Sequence, residues 1–176
     1  MSISDIRFPR QLEADHSDDS IRQTLMAHTA KLWPGGVIDV PMIPMSDPLE
    51  KALRKGRLQG HVLLGFEAIS EKLDHEKKGI MNVRNRADTP YGERVSRLLL
   101  FSNDGAERLY RHIEHLLQTH APRLLGCLLN IDSGALGHAV TGKDSRIKLV
   151  MAEHKEAVSE ILRATVAGHD PHQPHG

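Results

Sequence analysis

The chain has 176 residues, of which 39% are apolar and 3% aromatic, so its core is expected to be mainly aliphatic. No apolar run reaches the roughly 18 residues that a membrane-spanning helix needs. The N-terminus lacks the basic-then-apolar order of a signal peptide. The single cysteine, Cys127, excludes an internal disulfide framework. These features together predict a cytoplasmic protein without a membrane partner.

The formal net charge is zero, which argues against a protein that binds polyanions over its whole surface. The charge is nevertheless polarised along the chain. Residues 1–50 carry 4 basic and 8 acidic side chains, residues 51–100 carry 11 and 6, and residues 101–176 carry 8 and 9. Basic side chains concentrate in 51–57 and 77–86, so these two segments are the expected contacts for an anionic partner.

The first 48 residues predict an N-terminal arm. A short helix is expected within 21–33, after a polar and acidic start. Residues 37–48 alternate like a strand, but Pro41 and Pro44 confine such a strand to a sheet edge or to irregular structure, because proline donates no hydrogen bond. The arm is therefore expected to lie outside the main domain.

A single α/β domain is expected over 49–166. A helix is predicted up to Gly56, and a second over 61–79, where apolar residues recur at helical spacing. Gly79 is the expected end of that second helix. Residues 80–93 predict a loop with a turn near Pro90.

From residue 97 onward the chain alternates between short apolar runs and amphipathic segments. This alternation predicts a three-layer α/β/α sandwich with a mainly parallel or mixed sheet. The histidine-rich tail, 167–176, is predicted to be disordered from its composition. The expected strands are 97–103, 123–132 and 146–154, and the expected helices are 103–121, 133–142 and 155–165.

Polar residues follow the first two of these strands, where ligands bind in parallel α/β folds. They are Ser102, Asn103, Asp104, Gly105, Ser133 and Gly134. Such a position predicts a site for a small molecule or a phosphate group, in a protein that could be an enzyme. Asn103 and Asp104 are equally typical of ordinary helix caps.

A partial nucleotide-binding motif runs from Gly137 to Lys143, matching the first seven positions of a P-loop. Asp144 replaces the hydroxyl residue that would bind Mg²⁺, and a strand follows the motif instead of preceding it. The segment is therefore interpreted as the end of a helix and a turn.

Histidine and cysteine offer few further candidates. His112 and His115 could share a helix face, but His120 lies too far round the helix to complete a ligand set. Solvated histidines are the expected alternative, and the tail histidines lack a preorganised geometry. Cys127 fits a small buried apolar residue better than a nucleophile. No cofactor and no metal are predicted.

A basic glycine-containing segment (54–79), the loop FSNDG (101–105) and the helix LGHAVTGK (136–143) follow one another along the chain. This order resembles the superfamily of kink-turn-binding ribosomal proteins and their bacterial relatives, over about residues 53–163. Two departures stand out: residues 80–93 are an insertion, and no asparagine separates the glycine and glutamate of Gly65-Phe66-Glu67.

The resemblance implies a non-enzymatic protein that binds structured RNA or associates with the ribosome. The residues that it implies as contacts are Gly65, Glu67, Lys72, Gly137 and Lys143, with phosphate contacts from Arg54, Lys55 and Arg57. A solvated helix face accounts for the last three equally well. A third possibility is a homo-oligomer, because the apolar strands and the arm could pair between subunits.

Overall fold

The computed structural model describes residues 2–86 and 93–168, without the side chains of 83–86. Within this part of the chain, a mixed open sheet of six strands carries helices on both faces, which confirms the predicted α/β/α sandwich. The strands are β1 Thr29–Ala30, β2 Val40–Ile43, β3 Val62–Leu64, β4 Arg97–Phe101, β5 Leu124–Leu129 and β6 Leu149–Ala152. The helices are α1 Arg10–Ala14, α2 Asp18–Ala27, α3 Asp47–Leu58, α4 Phe66–Arg86, α5 Glu107–Thr119, α6 Ser133–Thr141 and α7 Lys155–Ala167, after a short 3₁₀ helix at Ile3–Asp5.

The strand order across the sheet is β1-β2-β5-β4-β6-β3. β2, β5 and β4 are parallel, whereas β6 is antiparallel to both of its neighbours, β4 and β3. Leu100 of β4 therefore faces Cys127 of β5 on one side and Val150 of β6 on the other. Because β6 runs backwards between β4 and β3, the loop that precedes it lies at the same edge as the loops that follow β3, β4 and β5.

Two apolar clusters cover the two faces of the sheet. Leu98 and Leu100 pack with residues of α2, α3, α6 and α7, while Leu99 and Phe101 pack with α4 and α5. Successive residues of a strand point to opposite faces, so a strand buried on both faces needs an unbroken apolar run. That requirement explains the continuous sequence RLLLF of β4.

The N-terminal segment packs onto the domain. Phe8, Leu12 and Ile21 are completely buried in the cluster that also contains α3 and α7. Segment 37–48 contains the ordered strand β2, which pairs with β5, and the two-residue β1 covers its outer side. Pro41 and Pro44 therefore do not confine this strand to a sheet edge, because β2 has a neighbour on each side.

The predicted helix 61–79 is wrong at both ends. Its first residues form β3, and Gly65, with φ of 90°, turns the chain into α4 at Phe66. α4 then continues through Gly79 to Arg86. An exposed helical glycine costs only about 1 kcal/mol relative to alanine, so it need not end a helix that packs well elsewhere. The predicted turn near Pro90 and the tail from 169 lie outside the described residues.

The predicted start of the next helix is also wrong. α5 begins at Glu107 and not at Asn103, because residues 102–106 form a loop whose aspartate binds a different helix. The predicted strand 146–154 is the shorter β6 and runs antiparallel to its neighbours. Among the described helices, none combines the length and apolar character needed to cross a membrane.

Candidate functional site

The ends of β2, β5, β4 and β3 and the start of β6 form one continuous row, which we call the carboxyl edge. Four backbone hydrogen bonds join neighbouring members of this row. They run from Asn130 N–H to Ile43 C=O (3.2 Å), Asn103 N–H to Ile131 C=O (2.8 Å), Ser102 N–H to Lys148 C=O (2.9 Å) and Gly65 N–H to Leu149 C=O (3.1 Å). The two groups of residues predicted as a small-molecule site, 102–105 after β4 and 133–134 after β5, therefore lie next to each other at this edge.

Four helices, α3 to α6, begin at the carboxyl edge, and each directs the positive end of its dipole there. The side chains of Ser46 and Asp132 cap the first turns of α3 and α6. Gly65, which precedes α4, has no side chain with which to cap it, and Ala106 before α5 forms no side-chain cap either. The starts of α4 and α5 therefore present N–H groups that the preceding residue does not cap.

Asp104 joins the loop after β4 to the start of α6. Its Oδ1 accepts hydrogen bonds from Ser102 Oγ (2.7 Å) and Ser133 N–H (3.0 Å), and its Oδ2 accepts one from Ser133 Oγ (2.8 Å). Beside it, Gly105 N–H donates to the Tyr110 hydroxyl (2.9 Å), which donates to the Ser102 carbonyl (2.8 Å). Both serines are buried, whereas Asp104, which joins them, is exposed.

The electrostatics of Asp104 fit this structural role. Burial raises the pKa of its carboxyl group, but the hydrogen bonds from Ser102 and Ser133 outweigh burial and lower that pKa to about 2. The predicted small-molecule site has four polar side chains, and three of them form hydrogen bonds with one another. The fourth, that of Asn103, forms no hydrogen bond with the described residues. The prediction that Asn103 and Asp104 cap the helix that follows them is wrong, because Ala106 is the residue before α5 and Asp104 binds the start of α6 instead.

The loop 142–148, which precedes β6, is fixed on α6. An added Cβ at Gly137 would lie 1.9 Å from the Ser145 carbonyl oxygen, so only glycine permits this approach. Ile147 N–H donates to the Ser133 carbonyl (3.0 Å). The partial P-loop motif therefore forms a helix, its left-handed end at Gly142, and a tightly seated turn.

Three cations project from this loop. Lys143, Arg146 and Lys148 are exposed, and no acceptor in the described part of the chain pairs with their side chains. Lys148 lies within the carboxyl edge, because its backbone is between those of Gly65 and Ser102. The edge thus combines a fixed backbone with unpaired positive charge.

The basic residues predicted on α3 are used mainly within the fold. Arg54 donates to the carbonyls of Ala139 (3.2 Å) and His138 (3.0 Å), at the end of α6, and pairs with Glu50 (3.0 Å). Lys55 pairs with Glu160 (2.8 Å). Arg57 is exposed, and its side chain forms no hydrogen bond or ion pair with the described residues. It lies ten residues along α3 from Asp47, however, about 15 Å from the carboxyl edge.

The two basic segments do not form one surface. α3 packs on one face of the sheet and α4 on the other. Lys77 of α4 donates to the Thr119 carbonyl (3.5 Å), and the side chains of Arg84 and Arg86 lie outside the described residues. Gly65 and the exposed Glu67 are at the carboxyl edge, whereas Lys72 lies about 10 Å further along α4. Lys143 follows the far end of α6, where Gly142 lies beside Arg54.

Histidine and cysteine do not form a metal site in residues 2–86 and 93–168, where no three potential ligands converge. The His112 ring packs on Phe66, with centroids 5.5 Å apart. His120 is buried, and burial is the main cause that lowers its pKa, against the opposing effect of Asp74. Cys127 is completely buried, which raises the pKa of its thiol to about 12 and keeps it protonated.

Comparison with known proteins adds no assignment to this geometry. No family model and no curated protein matches the chain. The sequence analysis missed Arg146 and Lys148 as site residues, although a signal was present. In the segment RIKL, basic and apolar residues alternate just before a strand, which points both cations to the same side.

Proposed function

We propose that this protein binds structured RNA at the carboxyl edge, with Lys143, Arg146 and Lys148 as phosphate contacts. The observation that carries the proposal is the set of three unpaired cations on one fixed loop. Elsewhere, Arg54, Lys55 and other cations are engaged by acids or carbonyls of the same chain. Because the backbone of this loop is already fixed, a phosphate backbone that binds these cations has to order only their side chains.

The resemblance noted in the sequence supports the same edge. Of the contacts that it implies, Gly65 lies there, Lys143 is on the loop that leads back to this edge, and Gly137 holds that loop in place. The uncapped N–H groups at the start of α4 would add donors for a phosphate or ribose oxygen. Glu67, in the first turn of α4, is positioned to accept hydrogen bonds from bases or ribose hydroxyls.

A folded RNA suits this surface better than a flexible single strand. Proteins that bind single strands stack the bases on exposed aromatic rings. Here Phe8, Phe101 and Tyr110 are buried, and only Trp33 and Phe66 are partly exposed among the described aromatic residues. Recognition is therefore proposed to act through the shape and backbone of the RNA.

Fluorescence anisotropy with labelled RNA hairpins, some containing a sharply kinked internal loop, tests the proposal across a salt series. We expect the logarithm of the binding constant to fall linearly with the logarithm of salt concentration. The triple variant K143A/R146A/K148A should weaken binding at least tenfold at about 0.1 M salt, and it should reduce the slope by roughly 1 for each lost phosphate contact.

A charge-matched control is R57A/K78A/K155A, which removes three exposed cations from other parts of the surface. We expect this control to change affinity less than threefold. Equal losses in the two triple variants, or wild-type binding no tighter than that of an acidic control protein, would overturn the proposal. The alternative of a small anionic ligand at the same edge stays a prediction. A thermal-shift screen with phosphate and nucleotides addresses it directly.

A further inference from the structure

An apolar cleft lies at the opposite end of the sheet from the proposed RNA surface, where β2 and β5 diverge. Its volume is about 350 Å³, and residues from separate parts of the chain form its walls. Ile3 and Ile6 line it from the N-terminal segment, Val37 and Val40 from the approach to β2, and Leu117 from α5. The volume is within the range of small-molecule sites, which is about 300–1,000 Å³.

The cleft exists because the β2–β5 ladder stops early. The two strands pair only at Met42–Leu128 and Ile43–Leu129. Asn130 N–H donates to β2, so by strand alternation the N–H and C=O of Gly126 also face β2. If the ladder continued in the same register, its next hydrogen bond would run from the N–H of residue 41 to the Gly126 carbonyl. Residue 41 is a proline and has no N–H, so this hydrogen bond cannot form.

Gly126 therefore presents a backbone donor and acceptor toward the cleft, and both Gly126 and Pro41 line it. No backbone group of the described chain outside the strand ladders binds Gly126. An unpaired backbone pair inside an apolar site is costly unless something satisfies it. The walls are mainly apolar, with Asp39 and Gln118 as polar side chains among them, and Gly126 adds a donor and acceptor of defined direction, as ligand sites typically do.

The walls of the cleft are held in place by hydrogen bonds. Arg22 donates to the Ile6 carbonyl (2.6 Å) and to the Ile3 carbonyl (3.3 Å), which fixes the N-terminal wall. On the other side, the buried carboxylate of Glu114 accepts a hydrogen bond from Val37 N–H (3.1 Å). The site is therefore largely preformed, so little free energy of binding would be lost in ordering its walls.

We propose that this cleft binds a small, mainly apolar molecule that carries an amide, whose N–H and C=O pair with Gly126. The amide supplies the donor and acceptor that β2 does not supply, and the apolar part fills the space between Ile6, Val37 and Leu117. The site is separate from the carboxyl edge and does not depend on RNA binding.

Titration of the ¹⁵N-labelled full chain with N-acetyl-leucine N-methylamide, followed by NMR, tests this proposal. We expect a saturable shift of the Gly126 amide signal, with a dissociation constant on the order of 1 mM for a probe of this size. The analogue in which both amide N–H groups of the probe are replaced by ester oxygens should bind at least fivefold more weakly, because it cannot donate to the Gly126 carbonyl.

A blocking variant locates the site. Val37 is 68% exposed, so Val37→Trp should fold normally and fill the mouth of the cleft, weakening binding at least tenfold. The matched variant Val37→Ala should stay within threefold of the wild type. An unmoved Gly126 signal at 20-fold excess over the expected dissociation constant, equal binding of the ester analogue, or full affinity in Val37→Trp would each overturn the proposal.

Discussion

The two edges of the sheet use charge in opposite ways. At the end where β4 and β5 begin, which we call the amino edge, Glu76 accepts hydrogen bonds from Arg97 Nε (3.1 Å) and Nη2 (2.9 Å). Arg123 lies 3.7 Å from the same carboxylate. At the carboxyl edge, Lys148 and the other cations of the loop that leads to it, Lys143 and Arg146, have no acid partner in the described part of the chain. The charges at the amino edge pair with one another and stabilise the fold, whereas the exposed cations at the carboxyl edge remain available to bind a ligand.

Burial accounts for this difference. The side chains of Glu76 and Arg97 are only 13% and 19% exposed, so neither charge is well solvated by water and each needs its partner. The cations of the loop 142–148 are exposed and therefore stable without a partner. Burial therefore separates the charges that the fold requires from those that it leaves in contact with water.

The largest effect is expected from Glu76→Gln at the amino edge. The substitution leaves Arg97 and Arg123 largely buried without the carboxylate, and such a loss costs about 3–5 kcal/mol. Urea unfolding measures the change. The control, Glu107→Gln, breaks an exposed pair with Arg111 and should cost about 0.5 kcal/mol or less. Similar losses in both variants would show that the amino edge does not depend on its buried charges.

Gly137→Ala tests whether the carboxyl edge requires a seated loop. The new methyl group would meet the Ser145 backbone, so we expect a loss of about 1–3 kcal/mol in unfolding free energy, together with weaker RNA binding. Gly134→Ala in the same helix is the control, because its nearest contact is at an ordinary 3.4 Å. If both alanines were equally tolerated, the close approach of loop and helix would be refuted.

Asp104→Ala opens the hydrogen-bonded network at the same edge and should destabilise the protein by about 1–2 kcal/mol at neutral pH. Because the pKa of Asp104 is lowered from 3.8 to about 2, the ionised carboxylate stabilises the fold fully above about pH 4. This contribution is lost as the pH falls toward 2. Unfolding curves of both proteins at several pH values should therefore converge in acid, and a constant difference would contradict the assignment.

The smallest effect is expected in α4, which runs from the carboxyl edge past the amino edge. Gly79 is exposed, and among the described residues no atom outside the neighbouring helix backbone lies within 4 Å of an added Cβ. Gly79→Ala should therefore stabilise the protein by about 0.5–1 kcal/mol, through helix propensity alone. Thermal unfolding would detect the gain. A loss of stability would indicate that the helix ends near Gly79 after all.

The fold could be predicted where a segment is long or buried on both faces. The continuous apolar runs of β4 and β5 and the amphipathic α5 were recognisable in the sequence. β3 was missed because its three residues, Val62–Leu64, also fit the apolar spacing of the helix that follows. The reversed direction of β6 leaves no local trace, because a strand buried on both faces has the same composition in either direction.

The candidate site was predicted only in part, for a related reason. Glycine and charge patterns pointed to Gly65, Gly137 and Lys143, but a sequence does not state which cations have partners. Arg54 and Lys55 belong to the most basic segment, and yet contacts with residues 84 to 105 positions away engage them. Arg146 and Lys148 reach the edge because β6 is antiparallel, which only the folded chain reveals.

The position of β6 also has a consequence for the order in which the molecule can assemble. Among the described strands, β3 pairs only with β6, and β6 separates it from β4. Residues 62–64 can therefore join the sheet only after residues 149–152 have done so. A growing chain therefore exposes an unpaired side of β4 until nearly the whole domain has been synthesised. Closing so distant a contact is slow relative to local helix formation. We expect the last strand to be the step that commits the chain to its native state.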